Sequence, residues 1–206
     1  MFVTFEGPEG AGKTTAIKGI AERLTALGHQ VLTTREPGSG TIGQQIRNIL
    51  LHGEAMHPRC ELFLFLADRA NHVETIIRPA LAEGKVVLCD RYADSTVVYQ
   101  GYGRGLDLAQ LRELNTFATG GLQPDVTFLF DLDPEVGLAR QSEKDRLDEE
   151  SMAFHERVRA GFLEEAKRDS LRYKVLDATH TPKELQEQCL TEMISLLSSR
   201  SADGRS

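Results

Sequence analysis

No apolar run in the 206 residues approaches the ~20 needed to cross a bilayer as a helix, so no membrane-spanning segment is expected. The opening Met1-Phe2-Val3-Thr4-Phe5-Glu6 has no basic residue and too short an apolar stretch for a signal peptide, and none is expected. Cysteine is scarce. Cys60, Cys89 and Cys189 are odd in number and form no close pair, which fits reduced thiols in a cytoplasmic protein better than a disulfide framework or a zinc site. Positive charge is also short, with 24 Lys and Arg against 31 Asp and Glu, a net charge of −7. That balance disfavours nucleic acid polymers and anionic membranes as partners, because both reward a basic face. A small anion held by a few placed cations remains compatible with it. No internal repeat or heptad series is visible.

What is present reads as an ordinary globular chain, 40% apolar and 27% charged. Its length suits a single domain, taken as residues 1–197, and the Ser-, Gly- and charge-rich stretch 198–206 is expected to form a flexible tail. Strand candidates are Phe2–Glu6, Val31–Thr34, Val86–Asp90, Val126–Asp131 and Tyr173–Leu176. Helical spacing recurs between them. It links Ile17, Ile20, Leu24 and Leu27, then Ile42, Ile46 and Ile49, and then a long run from Arg59 to Leu81 that Pro79 is expected to bend or end. Leu108, Leu111, Leu114 and Phe117 mark another helix, as do Ser151–Ser170 and Leu185, Cys189, Met193 and Leu197. Short strands alternating with helices predict an α/β fold, a five-stranded parallel sheet with helices on both faces. In such sheets ligands bind beyond the carboxyl ends of the strands, here just after residues 6, 34, 90 and 131.

Directly after the first strand stands Gly7-Pro8-Glu9-Gly10-Ala11-Gly12-Lys13-Thr14, the pattern G-x-x-x-x-G-K-T in the strand–loop–helix setting it requires. Its glycines let backbone N–H groups curl toward phosphate oxygens at the positive end of the following helix. Lys13 should reach the terminal phosphates of ATP, and the Thr14 hydroxyl should ligate magnesium. Val86–Asp90 is an apolar strand ending in an acid that could hold a magnesium-bound water. Val126–Asp131 has the same form, and spacing alone does not choose between Asp90 and Asp131. The adjacent Arg91, a second cation able to grip an acceptor phosphate, favours Asp90.

No Asn-Lys-x-Asp segment for guanine is present, which excludes a typical GTPase. Arg35, Arg69, Arg91, Arg140 and Arg146 are spread along the chain near strand ends, as transfer between two phosphorylated small molecules would require. A kinase for another small acceptor and a nucleotide-dependent switch are the competing readings, although a switch needs no second phosphate clamp.

The chain closely resembles bacterial-type thymidylate (dTMP) kinases, a P-loop nucleoside monophosphate kinase family. The matching segments are Phe5–Thr15, Arg35-Glu36-Pro37-Gly38, Phe65 to Arg69 with His72-Val73-Glu74, Asp90-Arg91-Tyr92 with Ser95-Thr96 and Tyr99-Gln100-Gly101, and Asp145-Arg146. They occur in family order over residues 1 to about 180, and the Asp-Arg-Tyr and Phe-x-x-x-Arg segments are far more specific than the phosphate loop. The resemblance implies that Gly7 to Thr15 bind ATP and that Thr14 and Asp90 face Mg²⁺. It implies a dTMP site of Glu9, Arg35, Phe65, Arg69, Arg91, Thr96, Tyr99 and Gln100. In that site Phe65 stacks on thymine, Arg69 bonds a base oxygen, Glu9 meets the 3′-hydroxyl and Tyr99 crowds the 2′ position. Periodicity alone would read Phe65 as core and Arg69 as a surface ion-pair partner.

Residues 140–150, with the apolar-free run Arg140–Arg146, are expected to form a short mobile lid carrying a catalytic cation, since the phosphate loop has no Arg of its own. Arg146 and Arg140 are the candidates beside Lys13 and Arg91, with Lys144 behind them. The implied reaction is ATP + dTMP to ADP + dTDP, in a cytoplasmic homodimer whose face could come from Leu62, Phe63 and Leu66 of the long helix.

Overall fold

The computed structural model describes residues 1–141 and 145–203. Strand β1 (Phe2–Glu6) is buried along its whole length, so its alternating side chains must satisfy two faces. Val3 and Phe5 join β4 (Val126–Asp131), helix α1 (Lys13–Ala26) and helix α9 (Pro182–Asp203) in one core, with Ile20, Leu24, Phe128, Phe130 and Met193. Phe2 belongs to the opposite core, against Val87 and Cys89 of β3 (Val86–Asp90). Thr4, on the Phe2 side, is fully buried and shares a 2.8 Å hydroxyl bond with Thr127.

Strand β2 (Val31–Arg35) and strand β5 (Tyr173–Asp177) complete an all-parallel sheet of order β2-β3-β1-β4-β5. The expected fold is therefore the observed one. Register sets Asp90 level with Phe5, which brings the loops after β1 and β3 side by side at the carboxyl ends. All three cysteines are free, and no described helix is long and apolar enough to cross a membrane.

Several helices differ from the periodic reading. Helix α2 (Gly40–His52) leaves Ile42 and Ile49 about half exposed and instead buries Gly43, Leu50 and Leu51. Gly43 is the contact point, since a Cβ there would lie 2.6 Å from Asp68 Oδ1 on α3 (Pro58–His72). Pro79 does not end the long helix. Residues Val73–Ile77 widen into a π-helical turn, in which Arg78 N–H donates to Val73 O, and α4 (Arg78–Ala82) follows. That widening frees space and hydrogen bonding just where a proline cannot take part in the i→i−4 ladder. Helix α5 (Ala93–Thr96) likewise runs into a π-helical segment, Val97–Gly103.

Helix α6 (Leu108–Thr119) buries Leu111 but exposes Phe117. Leu62 and Leu66, expected on an outer face, are buried against Leu111 and Ala118, and only Phe63 of that trio is exposed. Helices α7 (Pro134–Ala139) and α8 (Met152–Arg168) flank the stretch 140–150 expected to form a lid. Helix α9 continues to Asp203, into the stretch expected to be a tail, and Ser198 and Ser199 bond back to Ile194 O and Leu196 O.

Candidate active site

A cavity of about 450 Å³ opens at the carboxyl ends of β1 and β3. One wall is the loop from Glu9 to Thr15, and the opposite wall carries Arg35, Phe65, Arg69, Thr96, Tyr99 and Gln100, with Asp90 and Arg91 between them. Gly10 has a φ of 66°, and a Cβ there would lie 2.1 Å from Gly137 O, so this turn needs glycine both for conformation and for close packing on α7. Gly7 and Pro8 do not line the cavity. They stand behind the loop, and their carbonyls accept from Lys13 Nζ at 3.0 and 2.8 Å. Burial and the neighbouring Arg91 push the Lys13 ammonium down to about 8, against the opposing pull of Asp90, Glu9 and Glu6.

Thr14 Oγ1 donates to Asp90 Oδ2 at 2.9 Å. The rival Asp131 is instead occupied by a two-pronged contact from Arg159, at 2.7 and 3.0 Å, and lies outside the cavity lining. Among the described residues no group of three or more His, Cys, Asp or Glu side chains could hold a metal by itself. Two hard oxygens, a hydroxyl and a carboxylate, suit magnesium that keeps waters and arrives on a polyphosphate.

Arg91 joins the two walls. Its Nη1 donates to Gly7 O at 3.0 Å and its Nη2 to Glu9 Oε1 at 2.6 Å, while the guanidinium lies 5.1 Å over the Tyr99 ring. Its backbone has a φ of 67°, a left-handed conformation that costs about 1–3 kcal/mol outside glycine. Two bonds hold it there: Arg91 N–H to Phe5 O at 2.9 Å and Tyr92 N–H to Glu6 Oε1 at 2.8 Å. Glu6 also accepts from Ser95 Oγ at 2.5 Å. Burial and the nearby Asp94 raise the Glu6 carboxyl to about 7, in spite of Ser95, Arg91 and the Tyr92 amide. Burial acts on Glu9 in the same sense but is outweighed by Arg91, Lys13 and the Tyr99 hydroxyl, so Glu9 lies below its ordinary range. Tyr99 donates to both Glu9 oxygens, at 2.8 and 2.7 Å.

Arg69 is fully buried. Its Nε donates to Glu36 at 2.8 Å, Nη1 to Thr96 and Asn115 at 2.7 Å each, and Nη2 to Tyr92 O at 2.9 Å. Phe65 is half-buried and packs on the cluster of Leu50, Leu51 and Leu147. Arg35 is exposed at the end of β2, where Ser39 Oγ donates to its carbonyl at 2.8 Å.

Arg47 lines the cavity and was missed by sequence reasoning; its Nη1 donates to Pro37 O at 2.9 Å. Burial and the neighbouring Arg35 lower its pKa, the sign of two cations facing one space. The available signal was its position as the one Lys or Arg of α2, on the helix that follows Arg35.

Of the two expected lid cations, Arg140 is exposed, lines the cavity and donates to Gly10 O at 3.2 Å. Arg146 is not brought into the cavity lining. Its Nε donates to Leu50 O at 2.9 Å and its Nη2 to Glu61 Oε2 at 2.6 Å, which turns the charge onto α3. Asp145 caps this short turn by accepting from the N–H groups of Leu147 and Asp148. Lys144 lies outside the described residues.

With this geometry in place, comparison with known proteins is direct. A thymidylate kinase family model matches residues 5–189. The chain belongs to the thymidylate kinase family. The thymidylate kinase of Nitratidesulfovibrio vulgaris (strain DSM 19637 / Miyazaki F) is 52% identical over 210 residues, covering 96% of this chain and 98% of that one. That of Thermomicrobium roseum is 55% identical over 186 residues, covering 88% and 89%. The crystal structure of thymidylate kinase from Ehrlichia chaffeensis superposes with a TM-score of 0.78 at 34% identity, covering 96% of this chain and 98% of that one. The cavity of this thymidylate kinase family member carries Lys13 on the phosphate-loop wall and Arg35, Arg47 and Arg69 beyond it.

Proposed function

We propose that ATP bound with magnesium is the phosphoryl donor and that the wall of Arg35, Arg69 and Arg91 holds the acceptor. The chain phosphorylates dTMP to dTDP, the activity of its family. The observation that carries the assignment of the walls is Arg91, bonded to Gly7 and Glu9 of the phosphate loop and stacked over the Tyr99 ring of the opposite wall.

A phosphate monoester has its second pKa near ~6, so the acceptor oxygen is already anionic at neutral pH and needs no general base. The chain's own task is alignment and charge neutralisation. Lys13 leaves the Gly7 and Pro8 carbonyls for the terminal phosphates, and Arg91 and Arg35 grip the acceptor phosphate with planar forks. Thr14 and Asp90 are the residues that would hold magnesium, which would supply positive charge toward the transferring group. Phe65 offers its face to the base. The paired Glu9 and Tyr99 close the sugar end, where a carboxylate can accept from a 3′-hydroxyl. Among the described residues Arg140 is the lid cation that reaches the phosphate loop, and Arg146 anchors the lid's root.

Exposed Phe63 and Phe117, on the mutually packed helices α3 and α6, support a homodimer through that face. Sedimentation of Phe63→Ser/Phe117→Ser as a monomer would fit it, and an unchanged mass would move the interface elsewhere. Free buried thiols and the lack of a membrane-crossing helix among the described residues support a cytoplasmic site of action.

The test is ADP release with ATP and Mg²⁺ across dTMP, dUMP, dCMP, dGMP and AMP. Release confined to dTMP, with weaker dUMP, and its loss on chelation of the metal are expected. Equal rates with all acceptors, or full activity in excess chelator, would overturn the reading.

A further inference from the structure

Behind the acceptor wall lies a carboxylate that the transfer chemistry does not use. Glu61 sits in the first turn of α3, with Phe65 and Arg69 following at i+4 and i+8 on the same helix face. Its side chain is 1% exposed, yet it meets three donor side chains. Gln100 Nε2 donates to Oε1 at 2.9 Å. Arg104 donates through Nε to Oε1 and through Nη2 to Oε2, each at 3.1 Å, and Arg146 Nη2 donates to Oε2 at 2.6 Å. Burial alone would raise this carboxyl, but the bonds from Arg104, Gln100 and Arg146 outweigh it and hold Glu61 below its ordinary range.

An ionised carboxylate only accepts hydrogen bonds, so the Gln100 amide has one permitted orientation, with its nitrogen toward Glu61. Gln100 is 1% exposed and lines the cavity, and no described residue donates to its amide oxygen. That oxygen is left for the occupant. Thymine presents an N–H at ring position 3, whereas cytosine presents a lone pair there. A fixed acceptor rewards the first and leaves two facing lone pairs with the second.

We propose that Glu61 is a positioning residue for base selection, one that locks the Gln100 amide with its oxygen toward an N–H-bearing pyrimidine edge. Arg104 and Arg146 hold Glu61 in place, and through Arg146 the same carboxylate fastens the root of the lid. The inference rests on the reading of this cavity as the dTMP site.

The test is steady-state ADP formation with dTMP and dCMP in the wild type, Glu61→Gln, Glu61→Asp and Glu61→Gln/Gln100→Glu. Glu61→Gln lets the Gln100 amide turn over. It should raise KM for dTMP about tenfold with kcat within about threefold, and lower the dTMP-to-dCMP ratio of kcat/KM by about tenfold. Adding Gln100→Glu, which offers only acceptors, should restore the ratio. A merely structural role predicts no such rescue. An unchanged ratio in Glu61→Gln, or a loss that Gln100→Glu does not repair, would overturn the proposal. If Glu61→Gln does not fold, Glu61→Asp decides: it keeps an acceptor-only group, so the ratio should hold within about threefold even if KM rises, and its collapse would count against the proposal. A wild type that releases no ADP with dTMP sinks the site reading itself. A selective wild type indifferent to Glu61 sinks only this inference.

Discussion

The phosphate-loop wall and the arginine wall of one cavity are built in opposite ways. The first is a single contiguous loop, in which Lys13 finds its partners five and six residues upstream. The arginine wall is assembled across the chain. Arg69 reaches partners 33, 27 and 46 residues away, at Glu36, Thr96 and Asn115. Lys13 is held by neutral carbonyls that it can exchange for phosphate oxygens. Arg69 is tied to a buried carboxylate, which it cannot leave without stranding a charge. Lys13 is thus held only by carbonyls of its own loop, while the buried Arg69 is part of the protein's framework.

This contrast can be broken by substitution. Lys13→Ala should lower kcat by about 10³-fold with little change in melting temperature, because its bonds stay within its own loop. A large loss of stability would erase the distinction. Arg91→Ala should cost about 10²–10³-fold in kcat and also some stability, since it spans both walls and leaves Glu9 with Tyr99 and Lys13 alone. Arg69→Ala should cost about 3 kcal/mol in urea unfolding by leaving Glu36 buried beside only His72. Unaltered stability there, with selectivity lost, would make Arg69 a ligand group and nothing more.

The smallest effect concerns two acids three residues apart. Glu6 and Glu9 are both taken from water, yet one lies near 7 and the other below its usual range. Burial raises both, and the placement of Arg91, Lys13 and Tyr99 turns Glu9 the other way. For Glu6 the folded protein binds the proton more tightly than the unfolded chain, so its contribution is full below about 4.5 and falls as pH rises through about 7. Glu6→Gln should therefore gain stability relative to the wild type between pH 5 and pH 8. Parallel urea midpoints across that range would show that Glu6 does not titrate there.

Much of this was legible in the chain. Short strand-like runs separated by helical patterns specify a parallel sheet, and the central runs at β1, β3 and β4 read as nearly continuously apolar because those strands are buried on both faces. The phosphate loop could be named from residues 7 to 14, since its chemistry is local. Other features were not local. Asp90 and Asp131 end similar strands, and only their partners in the fold, Thr14 for the first and Arg159 for the second, separate them. Ile42, Ile49 and Phe117 fit a helical stripe but face outward, because the facing helices pack elsewhere around the cylinder.

Arg146 and Arg47 show the same limit at the site. One was expected in the cavity and is held at Glu61, while the other lay unremarked on α2 and lines the cavity. Sequence by itself determined the strand–loop–helix units, the phosphate loop and the family, because each depends on residues close along the chain or on a motif order. Tertiary structure decided which cations face the cavity and which are spent on buried carboxylates. That choice depends on which acid, 30 to 90 residues away, folding brings within hydrogen-bond reach.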